Sequence, residues 1–493
     1  MSHRDARLIV VSNRLPVTVE RLGQQIRVRP SSGGLVAALL PAFKEKGGCW
    51  VGWPGTGYNG EIAEVLRGEC APEYRFEPVF LNEEEKKYFY DGWSNEIVWP
   101  LFHDLQSKCN FDPAYWTANC DVNEKFADIV EHAGGHRDFI WVHDYHLMML
   151  ADALRSRGMR SKMAYFHHIP FPAPDIFEKL PWRREILRGL LQYTAVHFQT
   201  ERDKGNFTSC IRRCFPDAQE EDLGTKVLVR AEQRCVGVGS FPISIDYESL
   251  AGEAARPEVE RAAAKVRHEY PGKKIVLGLD RLDYTKGILQ RLRAFRELLR
   301  KEPSLTGKVT LLQVVVPSRE DIPQYQNLKT SIEKLVSEIN GEYSAAGWTP
   351  VAYWHRCLPR PELLALYRAA DVAFITPLKD GMNLVAKEFC AARNDETGVL
   401  VLSEFAGAAA ELNEGALLVN PYDVDGMSGT LLRAVRMPER EQTIRMHQMR
   451  RVIEQADVFE WCKSVWRDVG FHGAPTYSQP NEAQVMRQAV AIS

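Results

Sequence analysis

Two stretches in the second half of the chain concentrate groups that bind anions and sugars. D-R-L-D-Y-T-K-G (280–287) sets Arg281 and Lys286 five residues apart across a strand-to-loop corner, and V-P-S-R (316–319) closes another apolar run on Arg319. Two fixed cations at one corner suit a diphosphate. A third, separate guanidinium suits another phosphate, which its planar fork holds through two hydrogen bonds. Each cation alone is as readily a solvated loop charge, so the weight rests on all of them standing directly after apolar runs. P-L-K-D-G-M-N-L-V-A-K-E (377–388) adds Lys379, Asp380, Gly381 and Asn383 at a corner of the same kind, with Glu388 eight residues past the aspartate. Asp380 can accept from sugar hydroxyls, and Gly381 permits close backbone approach.

The first half ends its apolar runs on S-N-R (12–14), H-D-Y-H (143–146), H-H-I-P-F-P (167–172) and Q-T-E-R (199–202). The histidines His143, His146, His167 and His168 invite a metal reading. A zinc site wants a complete ligand set with ordered outer partners; nothing else points there, and neutral histidines donating to sugar hydroxyls fit better. A buried structural hydrogen bond accounts equally well for His167, which strand alternation turns away from His168. S-S-G-G (31–34) opens a helical pattern and offers free backbone N–H groups, although a plain helix entry explains it as well. It is neither a Walker A loop nor G-x-G-x-x-G, which counts against nucleotide kinases and dehydrogenases. The segment K-Y-F-Y-D-G-W-S-N-E-I-V-W-P-L-F-H (87–103) holds Tyr88, Tyr90, Trp93 and Trp99 among Asp91, Ser94 and Asn95. Clustered aromatics usually build cores, yet the interleaved polar groups suit a loop lining a sugar pocket. No G-x-S-x-G elbow is present, and no carboxylate spacing in sequence establishes a glycosidase dyad.

These corners need strands behind them. Apolar runs at 7–12, 138–143, 162–167 and 195–200, then at 273–280, 308–316, 349–354, 371–376 and 397–403, alternate with amphipathic stretches such as 288–301. That alternation predicts parallel sheets with crossover helices, whose ligands sit at the carboxyl ends of the strands. The 493 residues are too many for one core. The seam falls near F-P-I-S-I-D-Y-E (241–248), ahead of an alanine-rich helix from about Glu253. This gives one domain over 1–245 and a second over 246–460. A C-terminal helix from about 460 is free to pack back on the first domain, and a turn-rich tail over 473–493 is expected to be partly disordered.

A net charge of −3 gives no reason to expect nucleic acid as a partner. No stretch approaches 18 uninterrupted apolar residues, so no membrane association is expected. The scattered cysteines (10 in all) match no zinc or redox spacing and fit reduced thiols in the cytoplasm.

The motifs V-V-S-N-R, W-V-G-W-P-G, W-P-L-F-H, V-H-D-Y-H-L, H-I-P-F-P, D-R-L-D-Y-T-K-G, V-P-S-R, D-G-M-N-L-V-A-K-E and V-L-S-E-F-A-G-A-A run in order almost end to end. In that order the chain resembles the trehalose-6-phosphate synthases of glycosyltransferase family 20. These are retaining glucosyltransferases of the GT-B fold, with two facing Rossmann-like domains and the active site between them. The resemblance implies that Arg281 and Lys286 grip the donor diphosphate, and that Glu388 holds its ribose. Asp380 with Gly381, Met382 and Asn383 meets the transferred glucose, and Leu384 and Val385 present backbone to the nucleotide. The Gly33–Gly34 loop closes over the donor. On the acceptor side it implies Arg14, Tyr90, Trp99 and Arg319 around the phosphate of glucose 6-phosphate, Asp144 and His168 flanking the reacting sugars, and Trp53 and Gln199 in support.

The implied partners are nucleotide-glucose (UDP-, ADP- or GDP-glucose) and glucose 6-phosphate, with no cofactor or metal; homo-oligomerisation stays open. Two other readings accompany this one. A glucosylglycerol-phosphate synthase would take glycerol 3-phosphate, and a non-catalytic sugar-phosphate sensor would use the same fold. Lys379 stands where the family commonly has Arg, which keeps the charge and loses the fork. Domain closure is expected, because acceptor groups come from one half and most donor groups from the other.

Overall fold

The apolar runs that end in polar corners are strands of two parallel sheets. The computed structural model describes residues 6–22, 25–30, 34–57, 60–71, 73–319 and 322–471. Gly33 and the tail over 473–493, for which closure and disorder are expected, lie outside the described residues. The first half contains β1 (Leu8–Arg14), β2 (Val17–Leu22), β3 (Gln25–Pro30), β4 (Gly48–Trp53), β5 (Tyr74–Pro78) and β6 (Phe139–His143). It continues with β7 (Lys162–Phe166), β8 (Ala195–Phe198), β9 (Gln219–Asp222), β10 (Lys226–Ala231) and β11 (Arg234–Ser240). The second half supplies β12 (Lys274–Arg281), β13 (Val309–Val316), β14 (Val351–His355), β15 (Val372–Ile375), β16 (Val399–Ser403) and β17 (Leu417–Val419).

The first sheet runs β5-β4-β1-β6-β7-β8-β11-β10-β9, and the second runs β14-β13-β12-β15-β16-β17. Pairing is parallel throughout the second sheet and from β5 to β11 in the first; β10 alone is reversed, antiparallel to both β11 and β9. The second sheet has the 3-2-1-4-5-6 order of a doubly wound fold, and the first begins with the same pattern. Each order reverses beside its first strand, between β1 and β6 and between β12 and β15. There the crossovers leave in opposite directions and open a crevice. S-N-R and H-D-Y-H end the strands at one reversal; D-R-L-D-Y-T-K-G and P-L-K-D-G-M-N end them at the other.

Two crossings join the lobes, and they are hydrogen-bonded to each other. The Val458 amide donates to the Ile245 carbonyl at 3.0 Å, and Trp461 Nε1 donates to the Phe241 carbonyl at 3.1 Å. The helix Val458–Asp468 then packs on the first sheet. Its Asp468 pairs with His197 and Lys226, both at 2.9 Å, and Lys162 Nζ donates to the carbonyls of Val469 and Gly470. Buried Ile243, Ile245, Val458, Trp461 and Val465 continue one apolar core from lobe to lobe.

The structure departs from the sequence reading in several places. Residues 86–98 form a π-helical stretch rather than a loop. Trp93 is buried in the core against Trp116 and Trp182, Tyr88 sits against Tyr115, and only Tyr90 of this segment reaches the cleft wall. The apolar residues in the stretch are enough to bury one face, which the polar spacing disguised. The alanine-rich helix begins at Pro257, after a separate helix Tyr247–Ala254 capped by Asp246.

Beneath the second reversal lies a fully buried ion pair. Arg291 Nη1 sits 2.5 Å from Asp280 Oδ2, and the same guanidinium donates to Thr376 Oγ1 at 3.2 Å and Gln313 Oε1 at 3.3 Å. It braces β12, β13 and the corner after β15 from below. Arg291→Met should destabilise the protein by about 3–5 kcal/mol, since Asp280 would be left buried and unpaired, and adding Asp280→Leu should restore most of the loss. Urea unfolding of the two variants checks both directions.

Candidate active site

The donor corner is assembled from two loops that hydrogen-bond each other. The Leu378 amide donates to the Thr285 carbonyl at 2.7 Å. Gly287, at φ 64°, packs so tightly that a Cβ there would lie 2.0 Å from the Thr376 carbonyl oxygen. Asp283 Oδ1 accepts from both the amide and the hydroxyl of Thr285 at 2.9 Å, which shapes the turn that presents Lys286. Lys286 Nζ is then 2.7 Å from Asp380 Oδ2, and Asn383 Nδ2 donates to the same oxygen at 3.1 Å. Burial alone would raise Asp380; Lys286 and Asn383 outweigh it and hold the carboxyl below its ordinary value. Arg281 stands exposed at the end of β12.

Asn383 takes φ 83° and caps the helix Leu384–Ala392, its side chain accepting from the Ala386 amide. The amides of Leu384 and Val385 are among those an α-helix leaves without an internal partner, and they add the positive end of the helix dipole. Glu388, on the same helix, accepts from the Tyr367 hydroxyl at 2.8 Å, and burial raises its carboxyl. Gly34 stands opposite: a Cβ there would be 3.5 Å from Leu384 Cδ1. Met382 is buried beneath the loop.

The acceptor side draws on both lobes. The Arg14 guanidinium lies 4.1 Å from the Trp53 ring and 5.7 Å from the Tyr90 ring. Trp53 itself is buried, a platform beneath Arg14 rather than a cleft surface. From the other lobe Arg319 stacks 4.7 Å over Trp99 and donates to the Tyr325 hydroxyl at 2.7 Å. Burial opposes ionisation of Tyr90, but Arg319 and Arg14 overcome it and lower the phenol. Two guanidiniums from opposite lobes therefore act on one hydroxyl.

Asp144, at φ 74°, caps the turn after β6 and accepts from the Tyr145 amide at 3.0 Å. Burial pushes its carboxyl up to about 7, against the amides of Tyr145 and His168 and the charges of Arg281 and Arg319. His168 is engaged on both ring nitrogens: one lies 3.0 Å from His143 Nδ1 and the other 3.3 Å from Gln199 Nε2. Burial, with His167 adding, lowers it to about 3, so the ring is neutral. Gln199 is buried and spends its carbonyl oxygen on the Ile243 amide at 2.8 Å, which makes it a brace behind the site rather than an acceptor contact. Among the described residues no group of three or more His, Cys, Asp and Glu is set to hold a metal ion.

Sequence reading missed two residues. His103 is buried beside the donor corner with Nδ1 on the Trp99 carbonyl at 2.7 Å. Burial brings it to about 4, and Asp283, Lys286 and Asp380 are close enough to act on it. Its only signal was its place directly after the apolar W-P-L-F run. Asp104, at φ 60°, meets Lys379 across the cleft at 2.7 Å. That gives Lys379 a function, since a single ammonium suffices for a single carboxylate. Asp104, Asp144, Arg319 and Asn383 all hold positive φ without being glycine. Strain of this kind gathers at binding sites that the surrounding fold over-determines. The lobes also meet backbone to backbone, since a Cβ on Gly381 would fall 2.1 Å from the His168 carbonyl oxygen.

The model of glycosyltransferase family 20 matches residues 6–470. The trehalose-6-phosphate synthase of Mycobacterium bovis is 41% identical over 469 residues, covering 93% of this chain and 94% of that protein. The bifunctional trehalose-6-phosphate synthase/phosphatase of Thermoproteus tenax is 42% identical over 472 residues; the alignment covers 92% of this chain and 62% of that longer protein. Among solved structures, an alpha,alpha-trehalose-phosphate synthase (UDP-forming) from Burkholderia xenovorans, in complex with glucose-6-phosphate, superposes with a TM-score of 0.87 at 34% identity. It covers 94% of this chain and 100% of its own. A protein from E. coli bound with UDP-2-fluoro glucose gives 0.85 at 35% identity, covering 94% and 99%.

The raised Asp144 carboxyl has a stability signature. Its folded value of about 7 exceeds the roughly 3.9 of an unfolded aspartate, so the folded state binds the proton more tightly. Its contribution is therefore full at low pH and is lost as pH rises between those values. The unfolding free energy of the wild type, relative to Asp144→Asn, should fall across that interval and level off above it; urea unfolding of both proteins at stepped pH measures this.

Proposed function

The chain belongs to glycosyltransferase family 20, and from that premise we propose that it moves glucose from a nucleotide-glucose to glucose 6-phosphate, yielding trehalose 6-phosphate and a nucleoside diphosphate. The observation that carries this reading is the pair of guanidiniums, Arg14 and Arg319, converging on Tyr90 from opposite lobes, with a second cationic corner at Arg281 and Lys286. One pocket suits a monophosphate, the other a diphosphate, and Asp144 and Asp380 stand near them with acceptors for sugar hydroxyls. The ligands named for the solved relatives, glucose-6-phosphate and UDP-2-fluoro glucose, have the same two chemistries.

In the proposed reaction the donor diphosphate draws Lys286 and Arg281 onto its oxygens, and the opening amides of the helix Leu384–Ala392 add their dipole. Charge that develops on the leaving oxygen as the glycosidic bond breaks meets donors already in place. Glu388 receives the ribose hydroxyls. The acceptor hydroxyl attacks from the face the diphosphate leaves, and the departing phosphate oxygen takes its proton, so configuration is retained without a protein nucleophile. The neutral, doubly engaged His168 supports this division, since its imidazole is not free to act as the base. Lobe movement accompanies loading, and the Lys379–Asp104 pair already made across the mouth of the cleft holds the closed arrangement.

The test pairs each nucleotide-glucose with glucose 6-phosphate and with glycerol 3-phosphate and measures released nucleoside diphosphate. Release with glucose 6-phosphate supports the proposal; release only with glycerol 3-phosphate overturns the acceptor. Arg319→Ala should raise KM for glucose 6-phosphate roughly 30-fold or more while leaving the donor KM near its wild-type value, because it strips one partner from a buried charged contact. Lys286→Ala should lower kcat by about 100-fold or more, as for loss of one preorganised donor at a developing anion. Wild-type turnover in that variant would remove the diphosphate clamp.

A further inference from the structure

One hydrogen-bonded line runs from the donor helix, through the hinge, to the acceptor side. Lys387 stands next to Glu388 on the helix Leu384–Ala392, yet its ammonium points away from the cleft and is 1% exposed. Its Nζ donates to the Ile243 carbonyl at 2.9 Å and pairs with Glu411 Oε2 at 2.7 Å. Ile243 belongs to the first crossing between the lobes, and its own amide donates to Gln199 Oε1 at 2.8 Å. Because that oxygen is taken, the other end of the amide, Nε2, is the group that faces His168 Nδ1 and donates to it. His168 must then carry its proton on Nε2 and donate to His143 Nδ1 at 3.0 Å. Each bond fixes the direction of the next.

Burying an ammonium is costly unless its partners are well placed. An apolar side chain would fill the same space without that cost, so packing alone does not call for a lysine here. What the lysine adds is a directional bond to the carbonyl of a hinge residue, Ile243, whose amide is held by the opposite lobe. We propose that Lys387 and Gln199 are positioning residues that grip Ile243 from the two lobes and couple occupancy of the donor helix to the setting of His168 beside the acceptor. Neither residue touches substrate. The two peptide groups flanking the Ile243 Cα are held from opposite lobes, so the lobes cannot rotate past one another without turning the Ile243 backbone or loosening one of the two bonds, and the loaded arrangement of one lobe favours that of its neighbour. This inference rests on the substrates proposed above.

Lys387→Met alone would leave Glu411 without its cation, so the deciding variant is Lys387→Met with Glu411→Gln. UDP and glucose 6-phosphate are titrated by calorimetry, each alone and each in the presence of the other. Wild type should show mutual tightening of roughly 5- to 150-fold, the ordinary range for coupled sites. The double variant should bind each ligand alone within about 3-fold of wild type while the mutual tightening falls to about 1-fold. A purely structural lysine would lower the melting temperature and leave the coupling intact. Wild-type coupling retained in the variant, or no coupling in the wild type, overturns the proposal. A wild type that binds neither ligand counts against the functional reading instead, and amide hydrogen exchange in ligand-free protein then decides. Exchange at Ile243 should quicken about 10-fold or more in the variant, since a hinge residue freed at its carbonyl lets its amide part from Gln199 Oε1 more often; unchanged protection overturns the inference.

Discussion

The ion pair between Lys286 and Asp380 organises the donor half of this molecule. It joins the loops leaving β12 and β15, the strands on either side of the sheet reversal, and much of the surrounding detail keeps those loops in register. Gly287 allows the Thr376 carbonyl to approach where any side chain would collide. The Leu378 amide bonds to Thr285. Arg291, buried below, ties Asp280 to Thr376 and Gln313. Asn383 both supports Asp380 and caps the helix that carries Glu388. The charges are part-buried, at 13% and 14% side-chain exposure, so neither is tolerable without a partner; an anionic ligand that takes Lys286 must leave Asp380 something to accept. A sugar hydroxyl meets that need.

The second constraint is that two chain crossings join the lobes side by side. Two crossings bond each other, Trp461 seals them, and the apolar core continues through them. Arg319 and Trp99, Gly381 and His168, and Lys379 and Asp104 are paired across the cleft mouth. Each lobe contributes one of the two guanidiniums whose charge acts on Tyr90.

Much of this was legible in the sequence, for a physical reason. Parallel strands force their functional groups to the carboxyl ends, so the polar residues just past each apolar run include Arg14, Asp144, His168, Arg281, Lys286, Arg319 and Asp380 together. The motif order then carried the family. Strand order was not legible, because it depends on pairing partners far apart in the chain; β9, which reads Q-E-E-D and is wholly exposed, and the π-helical stretch pair locally but carry no apolar periodicity that marks them. Partnership also hid the true setting of individual side chains. Gln199 looked like a cleft residue because it ends a strand, but its amide turns inward to the hinge. Trp53, an acceptor-side candidate, is buried beneath Arg14. Lys379 had no meaning until Asp104 was found 275 positions away.

The central claim is that the donor diphosphate is held by displacing the internal partner of Lys286. A crystal structure with a nucleoside diphosphate bound tests it directly. Diphosphate oxygens should lie within hydrogen-bond distance of Lys286 Nζ and the Arg281 guanidinium, with the Lys286–Asp380 pair opened. A diphosphate seated elsewhere, with Lys286 still on Asp380 and Arg281 untouched, would contradict it.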